Sequence, residues 1–376
     1  MKKRIKIAMF SEAWKPMWGG GQEVALQLSK ELSKNHNYSI DLFTMNLGGK
    51  KIEKINDHFR IIRLGKKRTW CFKDRIGWFF DIQKEFNLYQ KRENYTILYA
   101  HANLPGFHIK YLAKKYCLST IFHVHGLMNI LMKKSKINEL IEKFIFFKLK
   151  YTLQISCSSN INGFKSVNSP IFLRNGTISF KNFKKEIKGI KKIIFASRFD
   201  YQKGGDILLK SISSIKKELF EKNIQIEFWG SGPEEIELKK LHKELGLNQI
   251  VSFKGKFQPS DVTDIFRSSD LFILPSRDEG FPLVIFEAIS NKCLVLASNV
   301  GEVSSIIEDK KTGFLFNYSN DYNENALSEK LIEIIQSDSK KLNQINEEAF
   351  TLVKKNFTWK SIAKDLDKLI KEEVLK

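Results

Sequence analysis

The sequence predicts an α/β protein made of two doubly wound domains that face each other across a cleft. Three observations lead there. A chain of 376 residues is long enough for two full cores and too long for one ordinary α/β domain. Short β-rich runs alternate with longer helical patterns along the chain, which is the signature of parallel sheets joined by helical crossovers. Charge also divides the chain. Residues 1–190 hold 35 Lys and Arg against 13 Asp and Glu, and residues 191–376 hold 28 against 29. The net charge of +21 therefore resides in the first half, and a basic half beside a neutral one implies two domains with different partners, one of them anionic.

In the first half the expected strands are Ile5–Phe10, Ser39–Thr44, Ile97–His101, Thr120–His125, Leu153–Cys157 and Ile171–Leu173, because each is a compact apolar run of the kind buried on both faces of a parallel sheet. Gln22–Asn35 and Phe107–Tyr116 carry helical spacing between them. In the second half the strands are Lys192–Ala196, Gln225–Trp229, Ile250–Phe253, Leu271–Leu274 and Leu294–Ala297. Asp206–Phe220, Pro233–Leu245, Pro282–Asn291 and Asn325–Ser337 supply its helices. The Lys-rich stretch Thr177–Lys191 follows Asn175-Gly176 and precedes a fresh strand, so it marks the boundary: a first domain over 1–180 and a second over 191–356. An amphipathic helix over 357–376 is free to cross back to the first domain.

Composition excludes several classes. Hydrophobic residues at 42% and charged residues at 28% are globular values, not those of a disordered chain. Cys71, Cys117, Cys157 and Cys293 match no zinc or redox spacing and read as reduced, mostly buried thiols. The apolar run Ile5–Phe10 is too short for a signal-peptide core, and charge interrupts every other apolar stretch before the roughly 20 residues that span a bilayer. The expected location is cytoplasmic, or peripheral on the inner face of the cytoplasmic membrane. The segments from Gly65 and from Leu131 mix Lys and Arg with Trp and Phe. An anionic membrane surface is their expected partner, against the plainer reading of a solvated face; no nucleic-acid module accompanies the charge.

The chemistry concentrates in the second half. Arg198 and Lys203 lie on a strand-to-helix loop in FASRFDYQKGGDILLKSI. In PSRDEGFPLVIFEAI, Glu279 lies in a loop, Gly280 and Phe281 follow, Pro282 takes the first helical position before Leu283, and Glu287 lies inside the helix. Two cations facing a helix N-terminus form a cradle for a diphosphate, and nearby carboxylates suit neutral sugar hydroxyls. In the first half, Gly19-Gly20-Gly21 forms a loop able to approach a ligand closely. His101, His123 and His125 come at strand ends.

These residues resemble the retaining glycosyltransferases of the GT-B fold and family 4 type, in which two Rossmann-like domains face each other. The Arg-x4-Lys pair is Arg198 with Lys203, and Glu-x7-Glu is Glu279 with Glu287. FWGSGPE at Phe228–Glu234, VSFKGKF at Val251–Phe257, TGFLF at Thr312–Phe316, HANLPG at His101–Gly106, HVHG at His123–Gly126 and LRNGT at Leu173–Thr177 extend the likeness over nearly the whole chain. The resemblance implies transfer of a sugar from a UDP- or GDP-sugar to a glycan or lipid-linked acceptor in cell-surface polysaccharide synthesis, with retention and front-face attack. Arg198 and Lys203 would hold the diphosphate, Glu287 the ribose and Glu279 the transferred sugar. His125 would sit beside the reacting sugar, with Gly19, His101 and His123 on the acceptor side and Gly20 and Gly21 near the donor. Ser231, Gly232, Lys256 and Phe257 would flank the nucleotide. No metal or other cofactor is expected, because cations and a helix end replace it. The sequence departs from the family pattern at Ser197, Glu302 and Ser305. A glycoside hydrolase using Glu279 and Glu287, a non-catalytic sugar-nucleotide or membrane binder and a sugar-nucleotide epimerase are the alternatives.

Overall fold

A computed structural model describes residues 4–17, 19–35, 37–125, 136–157, 169–177, 183–258, 260–317 and 323–375. Gly126, the start of the segment from Leu131 and residues 178–182 of the expected boundary lie outside them. The chain divides into two compact units, residues 1–176 with 359–376, and residues 177–358.

The first unit is built on an eight-stranded sheet in the order β3-β4-β2-β1-β5-β6-β7-β8. Its strands are β1 (Ile5–Ser11), β2 (Tyr38–Met45), β3 (Ile52–Asn56), β4 (Phe59–Leu64), β5 (Ile97–His101), β6 (Ser119–Val124), β7 (Leu153–Ser156) and β8 (Ile171–Phe172). All neighbours run parallel except β3 and β4. Its helices are α1 (Gly20–Asn35), α2 (Phe72–Glu93), α3 (Asn103–Tyr116) and α4 (Lys136–Lys143). The central strands are apolar on both faces because helices cover both faces. Phe10, Phe43, Phe86 and Tyr95 meet ring to ring inside, Phe10 and Phe43 with centroids 5.3 Å apart. The C-terminal helix, Trp359–Glu373, packs in this unit against α1. Its Asp367 accepts a 2.9 Å hydrogen bond from the Tyr38 hydroxyl.

The second unit holds a six-stranded, wholly parallel sheet in the order β11-β10-β9-β12-β13-β14. Its strands are β9 (Lys192–Ala196), β10 (Gln225–Trp229), β11 (Val251–Gly255), β12 (Leu271–Leu274), β13 (Leu294–Ser298) and β14 (Phe314–Phe316). Its helices are α5 (Gly205–Ser214), α6 (Lys216–Glu221), α7 (Glu235–Glu244), α8 (Val262–Arg267), α9 (Leu283–Ser290), α10 (Val303–Ile306), α11 (Asn323–Ile335) and α12 (Ser339–Asn356).

Some expectations change. The single helix Asp206–Phe220 is two helices, because Ile215 leaves helical geometry at φ −118° and ψ 16°. Gly20 and Gly21 are not loop residues: α1 begins at Gly20, and the Glu23 amide already bonds the Gly19 carbonyl at 3.1 Å. All four cysteines are free, but Cys71 and Cys117 are exposed and only Cys157 and Cys293 are buried.

Candidate functional site: two loops at a topological switch point

In a doubly wound sheet, ligands bind beyond the carboxyl ends of strands where the winding reverses. In the second unit that point lies between β9 and β12, since β10 extends the sheet one way and β13 the other. The loop after β9 carries Arg198 and Lys203; the loop after β12 carries Glu279. The fold brings Lys203 and Glu279 together although 76 positions separate them. Lys203 Nζ lies 2.6 Å from Glu279 Oε1, and the Ser276 hydroxyl donates to the same oxygen at 2.7 Å. The Glu279 side chain is 6% exposed and that of Lys203 21%.

Residues outside the sequence reading hold these loops in register. Arg277 grips Asp206 with two bonds of 2.8 and 2.7 Å and lies 3.9 Å from the centre of the Tyr201 ring. Its amide donates to the Gln202 carbonyl at 2.7 Å, and the Gln202 side chain donates to the Asp278 carbonyl at 2.8 Å. Burial pushes the Asp206 carboxyl up, but the Arg277 pair outweighs it and holds the group below its ordinary range. Burial, and then the neighbouring Glu279 charge, raise Asp278. Two glycines permit the close approach. A side chain on Gly204, at φ +67°, would sit 2.0 Å from the Pro275 carbonyl oxygen. One on Gly301, at φ +53°, would sit 1.7 Å from that of Glu279.

Arg198 is placed differently. Gly230 and Gly232 press against the carbonyls of Ser197 and Phe199 on either side of it, and the Phe199 amide bonds the Ser231 carbonyl at 3.0 Å. The backbone of Arg198 is thus fixed while its side chain, 70% exposed, reaches only Asp200, at 3.8 Å, among the described residues. Arg198 is not gathered into the Lys203–Glu279 pair. Ser197 bonds within its own loop, its hydroxyl to the Arg198 carbonyl at 3.2 Å. Of the remaining nucleotide-side residues, Ser231 and Gly232 are half-buried, Lys256 is exposed and Phe257 lies edge-on to Trp229 with centroids 6.5 Å apart.

Helix α9 begins at Leu283. Pro282 is not its first helical residue: it caps the helix with extended geometry, φ −73° and ψ 111°, because the chain is still turning out of the Gly280–Phe281 loop. Phe281 and Pro282 are buried, Gly280 is half-buried, and Glu287 sits half-buried within the helix. The Glu302 amide donates to the Gly280 carbonyl at 3.2 Å, so the divergent Val300–Ser305 segment still braces the Glu279 loop through Gly301 and Glu302. Ser305 points its hydroxyl at the Glu302 carbonyl at 2.6 Å.

In the first unit the winding reverses between β1 and β5. His101 closes β5 opposite His123 of β6, and His125 lies one residue beyond β6, off the strand to which its apolar neighbours assigned it. The three rings stack, with centroids 4.7–5.1 Å apart. His101 Nδ1 lies 2.9 Å from His125 Nε2, and the Tyr99 hydroxyl 2.9 Å from His123 Nδ1. Burial, then the neighbouring imidazoles, put His101 and His123 well below the ordinary histidine range; burial alone lowers His125 to about 4. Gly21 touches the His125 ring: a side chain there would lie 3.2 Å from Cδ2. Gly19 and Gly20 are exposed. Ligand atoms of the three histidines lie within 4.8 Å of one another. A metal bonds in the plane of an imidazole, however, and the ring planes differ by only 15–34°, so the rings would have to turn before one ion could collect all three. Sequence reasoning also missed Glu12, buried just past β1 and held by Arg75 of α2 at 2.6 and 3.0 Å.

Residues 178–352 match the family described as glycosyl transferases group 1. The second unit belongs to that family. A D-inositol 3-phosphate glycosyltransferase of Paenarthrobacter aurescens is 29% identical over 145 residues, covering 37% of this chain and 36% of that protein. The chain spans about a third of the length of the first curated relatives it matches. Among solved structures, sucrose-phosphate synthase of Thermosynechococcus elongatus superposes with a TM-score of 0.83 at 20% identity, covering 98% of this chain and 99% of that one. HepE of Anabaena, solved with UDP-glucose, gives 0.76 at 17% identity, covering 98% and 100%. The fold is the expected α/β GT-B fold with two Rossmann-like units.

Proposed function

We propose that the chain is a glycosyltransferase that moves a sugar from a nucleoside diphosphate sugar, UDP- before GDP-linked, to a glycan or lipid-linked acceptor in cell-surface polysaccharide synthesis. The observation that carries this reading is the Lys203–Glu279 pair at the switch point of the second unit, beside the start of α9. An ammonium fixed there, together with helix amides, meets negative charge as the anomeric bond breaks, and groups that strengthen as charge develops lower the barrier. Arg198, on an anchored backbone with an extended side chain, is available to close on the same diphosphate. Glu279 spends Oε1 on Lys203 and Ser276, leaving Oε2 for a sugar hydroxyl. Glu287 serves the ribose, His125 faces the transferred sugar, and Ser231, Gly232, Lys256 and Phe257 flank the nucleotide. The cations and helix end stand in for a metal ion. Retention by front-face attack follows from the family likeness. The complex of HepE with UDP-glucose supports the donor class.

The acceptor side is proposed to work on an anionic membrane surface. No helix among the described residues is long and apolar enough to cross a membrane. The basic first unit exposes Ile76 and Phe80 on α2 with Phe107 and Tyr111 on α3, and Phe79 meets the three aromatic rings. The same helices expose Lys73, Lys84, Lys114 and Lys115. Aromatic groups with flanking lysines bind anionic interfaces, each lysine contributing about 1 kcal/mol. Flotation with phosphatidylglycerol vesicles, but not with neutral ones, is the expected result; equal flotation with both removes the membrane part.

The donor reading is tested by a thermal-shift panel of UDP, GDP, ADP and their sugar conjugates on the whole chain. A ligand that binds only the folded state raises its melting temperature by mass action. One diphosphate and its sugar conjugate are expected to stand out, and a panel without any shift refutes the reading.

A further inference from the structure

The histidine stack contains an asymmetry that decides where protons sit. His101 is 2% exposed, its Nδ1 lies 2.9 Å from His125 Nε2, and its Nε2 is buried with no partner among the described residues. A neutral imidazole carries one proton. Were that proton on Nε2 of His101, a buried N–H would go unmet, and such donors are rarer in folded proteins than unmet acceptors. With the proton on Nδ1 instead, the N–H points at His125 and only a bare lone pair is left over. His125 must then accept at Nε2 and carry its own proton on Nδ1. Its ring is the one of the three that is not fully enclosed, and His101 is its hydrogen-bond partner among the described residues. The environment favours neutral rings throughout, so the choice lies between tautomers rather than charge states.

We propose that His101 is a positioning residue: its Nδ1–H donates to Nε2 of His125 and so locks His125 in the Nδ1–H tautomer, which presents an N–H donor to the substrate. The backbone fixes the pair geometrically. His101 is paired with His123 across β5 and β6, the Ala102 amide donates to the His123 carbonyl at 3.2 Å, and the Cys157 thiol reaches the His125 carbonyl at 3.5 Å. Gly21 lies along the Cδ2–Nε2 edge of the ring, where a Cβ would sit 3.2 Å from Cδ2 and 3.6 Å from Nε2. His125 is therefore a hydrogen-bond donor to a sugar oxygen, not a base that takes a proton from the acceptor. This inference rests on the proposed placement of His125 beside the sugar, but the tautomer itself does not.

The test separates the two. Histidine-selective 15N labelling of the whole chain, with long-range 15N–1H correlation spectra, reads the tautomer of each ring without substrate. The wild-type His125 is expected to show a protonated Nδ1 and a bare Nε2. In His101→Leu that preference is expected to be lost. In His101→Asn, whose side-chain amide can donate from nearly the position of Nδ1, it is expected to return. A protonated Nε2 on His125 in the wild type overturns the proposal, as does an unchanged His125 spectrum in His101→Leu. If transfer is assayed, His101→Leu is expected to lower kcat about 10- to 100-fold with KM little changed, in line with other residues that orient a functional ring from behind. His101→Asn is expected to recover most of it. A correct tautomer with no transfer activity in any protein would refute the functional reading alone.

Discussion

Substituting Lys203 by methionine keeps the stem of the side chain and removes its charge. In the native site the ammonium lies 2.6 Å from a Glu279 carboxylate whose side chain is 6% exposed, and the other bond to that oxygen comes from the neutral Ser276 hydroxyl. The substitution strands a buried carboxylate. Breaking a fully buried pair costs about 3–5 kcal/mol, whereas an exposed pair contributes about 0–1 kcal/mol. With Lys203 21% exposed, the expected loss is about 2–3 kcal/mol. For a unit of this size that corresponds to a fall of roughly 4–12 °C in the melting temperature of the second unit. The diagnostic variant is the double one, Lys203→Met with Glu279→Gln. It leaves no orphan charge and keeps the Ser276 bond, so it is expected to melt above Lys203→Met despite carrying one more change. Differential scanning calorimetry of the whole chain reads all three proteins. A Lys203→Met protein as stable as the wild type, or a double variant no better than the single one, would refute the claim that these groups form one buried pair.

Three further outcomes follow from the same contacts. Gly301→Ala places a methyl 1.7 Å from the Glu279 carbonyl oxygen at φ +53°, so it should destabilise by more than about 1 kcal/mol and weaken diphosphate binding; an unchanged urea midpoint would count against that bracing role. Arg277→Ala takes its ion-pair partner from the half-buried Asp206. Because the native pair depresses the Asp206 pKa, its stabilisation is present above the unfolded value and lost as pH falls through the folded one. The stability gap between wild type and variant should be widest near neutrality and close in acid, which urea titrations at several pH values would reveal. The lowered pKa values of His101, His123 and His125 have the same sign: stability is full above about pH 6.5 and declines toward pH 4 by up to about 1.4 kcal/mol per pH unit for each histidine. His123→Gln should make that decline shallower; an equal slope would show that the buried rings do not set it.

The fold was largely legible because parallel strands covered on both faces leave compact apolar runs, and β5, β9, β10 and β12 coincide with those runs. The β3–β4 hairpin is hard to see because β3, IEKIN, lies at a sheet edge and is at most half-buried, while in the buried β4, FRIIRL, two arginines break the apolar run. The sequence of helix α2 has the character of a charged aromatic surface; its inner face shows only in place, with Trp78, Ile82 and Phe86 fully buried. In the site, Lys203 and Glu279 were named from local context, but their contact depends on β9 and β12 being neighbours, which strand order decides. Ser276, Gln202, Arg277 and Asp206 gave no sequence signal, since each matters only through a loop 70 or more positions away or, for Ser276, through a carboxylate whose burial is tertiary. The paired cations expected from the sequence are not equivalent: Lys203 is locked against Glu279, and Arg198 has an anchored backbone and an exposed side chain with one long contact, to Asp200.

The most direct measurement is calorimetric titration of UDP and GDP into the wild-type chain and into Lys203→Met. If the switch-point pair holds a donor diphosphate, one of the two nucleotides binds the wild type, and losing one charge-assisted contact weakens it about 10- to 100-fold. Equal affinity for both proteins, or no binding to the wild type by either nucleotide, would contradict the assignment.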